Sequence, residues 1–352
     1  MSVKTEGSSN YEYVTARARS RRAKLFDEDD YRKLVRMGPG EIARFMEDSE
    51  YETEMNALGT RHSGVDLIEY ALNRNLSKHF DDLLTWADGP LYEYIANYLR
   101  KFDAWNIKTI IRGIYTDADR EDVEDDLIRT GEFAGRTLDR LVEATSIEDA
   151  IEALSGTIFG EPLEAAYEDF ESSDVLVPLE NAVDRAFFAH LLDDIGQPEP
   201  DTPIALYREF LEAEIDFRNL RNALRIARSG AEIDPGEYFI EGGQLFDAAE
   251  LGTLAANTDE LVTAIRESTY GDDLSKALDE LESATSLIGF EHALNTALLE
   301  YSEKLSNRYP LSICPVLSYI LAKEREVENI RAVARGREAG LPVEEIEEEL
   351  IQ

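Results

Sequence analysis

Asp103-Ala-Trp-Asn106-Ile107-Lys108 with Arg112, Asp216-Phe-Arg-Asn219-Leu220-Arg221 with Arg225, and Glu326-Val-Glu-Asn329-Ile330-Arg331 with Arg335 are one motif written three times. Each reads acid, two residues, Asn, aliphatic, basic, three residues, Arg. The spacing from Asn106 to Asn219 differs from that between Asn219 and Asn329 by only three positions. A second motif precedes each of the three. It reads Ile68-Glu69-Tyr-Ala71-Leu72-Asn73, Leu179-Glu180-Asn-Ala182-Val183-Asp184 and Phe290-Glu291-His-Ala293-Leu294-Asn295, and its glutamates are evenly spaced along the chain. Repetition in register over more than half the chain is the signature of a module used several times.

Between the two motifs each copy carries a proline, Pro90, Pro203 and Pro315, at a position that suits the first turn of a helix or the loop before it. Leu127, Ile240 and Leu350 each lie 21 residues after the Asn of their copy. The chain stops two residues after the last of these, so the third copy is expected to end where another would begin. Ile158-Phe-Gly160 and Thr269-Tyr-Gly271 are a further echo, at the same spacing as the glutamates. The first copy lacks it and reads as shorter upstream. The expected copies are 1–127, with an N-terminal extension, 128–239 and 240–352.

Periodicity makes the module helical. Leu91-Tyr-Glu-Tyr-Ile-Ala-Asn-Tyr-Leu99 and Ile204-Ala-Leu-Tyr-Arg-Glu-Phe-Leu211 repeat apolar residues at three- and four-residue steps. Alternating strand patterns are missing, and no Asn-Gly or Asp-Gly joins two strand-like runs as a hairpin turn would. The fold class is all-α. On a helix Asp103, Asn106, Ile107 and Ile110 share one face, and Lys108 and Arg112 lie opposite; the other two copies repeat this. An Asn on an apolar face either bridges to the Glu of the preceding helix (Glu69, Glu180, Glu291) or to a backbone carbonyl, or it lines a cavity with its acid. The cation pairs admit two readings. Lys108, Arg112, Arg221, Arg225, Arg331 and Arg335 either pair with the chain's own acids or form a ring of six cations facing a partner. The like-charge spacing costs each helix about 0.2–0.5 kcal/mol, so its threefold recurrence calls for a compensating contact.

The formal charge is −38, from 36 basic and 74 acidic residues spread end to end over 352 positions. An acidic tail and a basic partner are two explanations. A protein adapted to high salt is the favoured one, because dense carboxylates stay hydrated while salt screens their repulsion. No basic patch large enough for nucleic acid interrupts the acidic field. One basic cluster, Arg17, Arg19, Arg21, Arg22 and Lys24, is followed by Asp27-Glu-Asp-Asp30 and reads as a surface helix answered by those acids. The first residues lack the apolar core of a signal peptide. No run reaches the roughly 20 apolar residues of a membrane helix. The lone Cys314, among apolar neighbours, reads as a buried small hydrophobe.

Catalytic signatures are not found. His62, His79, His190 and His292 have no partner at metal-ligand spacing, and no Gly-x-Ser-x-Gly elbow or phosphate loop occurs. Glu241-Gly-Gly243 and Gly38-Pro-Gly40 read as turns. The pairs Asp81-Asp82, Asp193-Asp194 and Asp272-Asp273 suggest the magnesium-binding helix of an isoprenoid synthase, but none completes Asp-Asp-x-x-Asp. A repeated unit offers equivalent groups about an axis, not different groups converging on a point. It suits a collar, a funnel or a curved solenoid. No catalytic residue, cofactor or metal is expected.

The opening Tyr11-Glu-Tyr13-Val-x-Ala16-Arg17-x-Arg19, with Lys24-Leu25, resembles the start of the C subunit of archaeal A-type ATP synthases, relatives of the bacterial V-type C subunit and the vacuolar d subunit. Tyr98-Leu-Arg-Lys-x-Asp103-x-x-Asn106-Ile107-Lys108 and Leu220-Arg221-x-x-Leu224-Arg225 resemble that family's inner helices. The resemblance covers essentially the whole chain, and the acidity resembles a haloarchaeal member. It implies three similar helical domains about a pseudo-threefold axis, shaped as a funnel, without an active site. It further implies a peripheral place on the cytoplasmic face of the membrane, between the rotor ring and the central axle subunits of D and F type. A helical-repeat scaffold for an unrelated protein is the alternative.

Overall fold

The computed structural model describes residues 9–133, 135–200, 202–229, 235–255, 257–272, 274–275, 278–279 and 288–350. Every regular element among them is helical. In chain order these are α1 (Tyr11–Arg22), α2 (Glu28–Leu34), α3 (Pro39–Glu47), α4 (Glu52–Leu58), α5 (Gly64–Trp86), α6 (Pro90–Leu99), α7 (Lys101–Thr116), α8 (Arg120–Asp125), α9 (Arg136–Val142), α10 (Ile147–Ala153), α11 (Gly160–Ser173), α12 (Val177–Ile195), α13 (Pro203–Ser229), α14 (Ala248–Ala255), α15 (Thr258–Arg266), α16 (Ile288–Arg308), α17 (Cys314–Glu338) and α18 (Val343–Glu348). The Glu-bearing motif falls on α5, α12 and α16, and the acid–Asn motif on α7, α13 and α17. Pro90 and Pro203 open α6 and α13, and Pro315 stands in the first turn of α17. Proline suits that turn because its missing N–H would have no helical partner there.

The chain folds as two compact units, one of residues up to Phe187 with Pro310–Leu350, the other of Phe188–Tyr309. In the first, α1 and α5 pack along α17. The buried face of α5 runs through Leu72, Leu76, Phe80 and Leu83, and that of α17 through Val316, Ile320, Val327 and Ile330. Such spacing puts one apolar stripe on each helix, and each fully buried aliphatic or Phe side chain contributes about 1.5–3 kcal/mol. The second unit pairs α13 with α16, packs α14 on α13 and packs α15 on α14. Unit boundaries cross the sequence copies because the acid-bearing helix of one copy packs on segments of the next.

Two of the three motif asparagines take the backbone alternative. Asn106 Nδ2 donates to the Ile128 carbonyl at 2.7 Å, and its Oδ1 accepts the Ile128 N–H at 2.9 Å. Asn219 does the same at Ile240, at 2.8 and 2.9 Å. Each carboxamide stands in for a peptide and satisfies both the N–H and the carbonyl of a buried residue, as buried backbone groups require. In the first copy the partner is one residue beyond Leu127, the position singled out by spacing. Asn329, also buried, hydrogen-bonds the Tyr31 phenol.

The echo missing from the first copy is present in space. Ser49, Thr157 and Ser268 each donate a hydroxyl bond to the carbonyl three residues back (Met46, Leu154 and Ile265, at 2.7 Å). Each accepts the N–H two residues on, from Tyr51, Phe159 and Tyr270. The shared pattern is apolar, two residues, Ser or Thr, one residue, aromatic. Tyr51 stands three positions closer to Phe159 than Phe159 does to Tyr270, so the first copy's turn falls out of the fixed period.

Two glycines bring the acid against the backbone. A Cβ on Gly131, at φ +105°, would overlap the Asp103 carboxylate, and one on Gly243 would overlap that of Asp216. Gly131→Ala and Gly243→Ala are each expected to lower the thermal unfolding midpoint by several degrees, through lost packing of the carboxylate worth about 1–3 kcal/mol. Gly38→Ala, where nothing lies within 4 Å of the added carbon, serves as the neutral control. Midpoints unchanged at 131 and 243 would contradict the close approach.

Candidate functional site

Three acids on three helices do one job. Asp103, 1% exposed, accepts the N–H of Glu132 at 2.8 Å and of Phe133 at 3.0 Å. Asp216 accepts those of Gln244 and Leu245 at 2.9 and 3.1 Å. Glu326 accepts that of Phe26 at 2.6 Å. Residues 132–133 fall near the start of the expected second copy, 244–245 near that of the third, and Phe26 early in the first. Each acid therefore holds the entry of the following copy, and the last acid holds the entry of the first. Ring contacts support the equivalence: Phe133 meets Phe159 edge-on at 5.8 Å as Phe26 meets Tyr51 at 6.1 Å.

The third acid is longer for a reason the neighbours supply. Where the other two entries have Gly131 and Gly243, two residues before Phe133 and Leu245, the first has Lys24, two before Phe26. Without glycine the backbone stays further off, and glutamate has the extra methylene to reach it. Glu326 is also the centre of a wider buried network. Lys323, wholly buried, donates to Glu326 Oε1 at 2.7 Å and to the Tyr51 hydroxyl at 2.8 Å, while that hydroxyl donates to Glu326 Oε1 at 2.8 Å. Burial pulls the Lys323 ammonium below its ordinary pKa, against the Glu326 charge that holds it up. Burial pushes the Tyr51 phenol well up, helped by Glu326. Close by, the Tyr319 hydroxyl sits 2.5 Å from His79 Nδ1. Burial, with Lys323 and Arg21 adding repulsion, pulls that imidazole down to about 2, so it is neutral.

Five of the six motif cations also follow one rule. Lys108 binds Asp184 at 2.6 Å and Arg112 binds Glu180 at 2.6 Å. Arg221 donates to Asn295 Oδ1 at 2.8 Å. Arg331 donates to Asn73 Oδ1 at 2.7 Å, and Arg335 makes a two-pronged bond to Glu69. Cations of the first copy thus reach the second, Arg221 of the second reaches the third, and those of the third reach the first. Their partners are the Glu and the Asn or Asp of the other motif. The side chain of Glu291 lies outside the described residues. The two positions differ in exposure: Lys108, Arg221 and Arg331 are half-buried, whereas Arg112, Arg225 and Arg335 are exposed. Bonding to Glu180 and Glu69 raises the pKa of Arg112 and Arg335, and burial lowers that of Arg331.

Other residues singled out by sequence are scattered. His62 meets Tyr70 edge-on at 4.5 Å. Asp82 pairs with Arg21 and Asp81 accepts from Thr130; Asp273 lies outside the described residues. Among the described residues no three His, Cys, Asp or Glu side chains gather as metal ligands, and no helix is long and apolar enough to cross a membrane. Cys314 is buried and forms no disulfide. For Arg21 and Lys24 the expected pairing with Asp27–Asp30 is not what forms. Arg21 goes to Asp82 and Lys24 to Glu50, while Arg22 donates to Ser318. The acids of α2 are taken by its own cap and by Arg32 and Lys33, because partners three and four residues away on one helix are nearer.

One recurring set of acid–amide and cation–acid contacts thus ties successive segments of an all-helical chain. The family model described as ATP synthase (C/AC39) subunit matches residues 14–349, and the chain belongs to that family. It is 66% identical to the A-type ATP synthase C subunit of Haloferax volcanii over 349 residues, covering 99% of each chain. It is 58% identical to that of Halobacterium salinarum over 352 residues, 99% of each. Against that of Methanosarcina mazei it is 34% identical over 351 residues, 99% of this chain and 94% of the relative.

The tethering acids make stability depend on pH. Burial pushes Asp103 up to about 7 and Asp216 up to about 6, against the backbone N–H groups that hold each down. A folded pKa above the unfolded one means the folded state binds the proton more tightly. That contribution is full below the unfolded value near 4 and is lost as pH rises through 6–7. Asp103→Asn has no such loss. Its stability relative to wild type, from urea unfolding, should improve by about 2 kcal/mol between pH 5.5 and pH 8. A gap equal at both pH values would contradict the raised carboxyl.

Proposed function

We propose that the chain is the non-catalytic central-stalk subunit of a rotary A-type ATP synthase. In this reading it couples the membrane rotor ring to the axle subunits of D and F type during ion-driven ATP synthesis or hydrolysis. It would sit on the cytoplasmic face of the membrane as a peripheral subunit. The observation that carries this is the family match over residues 14–349, with relatives named as the C subunit of A-type ATP synthases aligned over nearly the whole chain.

The contact pattern supports the finer reading. Three segments whose acids and cations each engage the next segment, the third engaging the first, are what three pseudo-threefold domains, at 1–127, 128–239 and 240–352, require. Closed order of this kind suits a funnel-like collar better than a solenoid, whose end copies do not meet. Torque transfer needs a part that resists deformation, and close-packed helices do. The −38 charge suits molar salt, where the Debye length is about 3 Å and carboxylate repulsion is short-ranged.

The six cations divide between two tasks. Lys108, Arg221 and Arg331, half-buried, lock neighbouring segments. Arg112, Arg225 and Arg335 are exposed residues and are the ones to face an axle subunit. Exposed pairs contribute only about 0–1 kcal/mol to stability, so their reversal leaves the chain folded.

Membranes from cells carrying a tagged chain should yield the tagged chain together with the other ATP synthase subunits. Arg112→Glu/Arg225→Glu/Arg335→Glu should reduce recovery of the axle subunits severalfold while far-UV dichroism stays unchanged. Recovery of the tagged chain without other ATP synthase subunits would contradict the function. Unchanged axle recovery in the triple variant would contradict only the assignment of these three arginines.

A further inference from the structure

In the basic cluster at the start of the fold, Arg17 takes no part in the contacts above. The cluster's cations are not alike. Arg21 and Lys24 are in ion pairs, and Arg22 is bonded to Ser318. Arg17 is different: its guanidinium lies over the Tyr13 ring at 4.7 Å and over the Trp86 ring at 4.8 Å, and Arg21 sits over the same indole at 5.2 Å. Among the described residues Arg17 forms no ion pair. Tyr13 is 48% exposed and Arg17 is exposed. The mounting is firm, since Asn10 donates to the Trp86 carbonyl at 2.8 Å and also bonds Asp88. The acids nearest in sequence and contact are Glu12 on α1, Asp82 on α5, held by Arg21, and Asp88, held by Asn10.

A guanidinium stacked on aromatic rings keeps its N–H donors at its edge, in a fork that matches a carboxylate. Holding it in place beforehand removes part of the ordering cost of binding. In molar salt long-range attraction is screened away, and a short two-pronged contact of this sort is what survives. The geometry points to Arg17, with Tyr13 and Trp86 as its platform, as the docking site for an aspartate or glutamate side chain of a neighbouring subunit. The inference rests on the function proposed above and names one contact within it. A single cation of this kind fits one side-chain carboxylate. An anionic lipid surface is usually held by clusters of about 4–8 free Lys or Arg, and here the neighbouring Arg21, Arg22 and Lys24 are engaged within the chain.

The test is retention of the chain in ATP synthase purified through a tag on a different subunit and washed in molar KCl. Arg17→Glu should lower retention about tenfold or more, and Arg17→Lys, which keeps charge but loses the fork, severalfold. The isolated variants should melt within a few degrees of wild type, because Arg17 is exposed, outside the ion pairs of the fold, and loses only an exposed stacking contact. Equal retention of wild type and Arg17→Glu overturns the site alone. Absence of the wild-type chain from the purified synthase overturns the proposed function and the site with it. Phosphatidylglycerol vesicles supply the remaining arm: binding of isolated wild type that is lost in Arg17→Glu would reassign the site to lipid and overturn it as stated.

Discussion

A carboxylate removed from water has to be met by donors, and that requirement organises this chain. Asp103, Asp216 and Glu326 are all buried, and each is met by the backbone N–H of the segment that opens a following copy. An unmet buried charge costs several kcal/mol. The entry segments therefore have little freedom to lie elsewhere. The asparagine three residues on adds a second fixed point by bonding both sides of Ile128 or Ile240. Hydrophobic burial supplies most of the stabilisation, but these polar contacts choose which segment packs where.

The third contact set shows how a repeat can be rewritten without losing its role. Aspartate becomes Glu326, glycine becomes Lys24, and phenylalanine at 159 corresponds to Tyr51, whose hydroxyl joins the acid. The surplus polarity is absorbed by Lys323. This junction holds the last long helix to the first residues of the fold, which are far apart in sequence. Contacts of that sort close late in folding and carry a larger loop-closure cost. A denser, charge-assisted network at this junction is a reasonable physical answer.

Much of this was legible in the sequence. The acid–Asn–cation motif, its partner motif and the helix-opening prolines were visible because they recur at nearly fixed spacing. What stayed hidden was pairing at a distance. Nothing local says that Arg335 meets Glu69 or that Arg331 meets Asn73. Gly243 read as an ordinary turn, because its reason is the carboxylate of Asp216, far upstream in the chain. The Ser–aromatic turn of the first copy was missed through a small shift in spacing. Arg21 and Lys24 were assigned to the nearest acids in sequence, whereas helices bring Asp82 and Glu50 closer in space.

Amide hydrogen exchange on Glu326→Ala tests the central claim most directly, because protection reports local opening residue by residue. If the last acid tethers the first copy, protection falls together in residues 24–58 and in α17, while α9 to α11 keep theirs. Loss confined to α17, with the amides of Phe26 and Tyr51 as protected as in wild type, would contradict it.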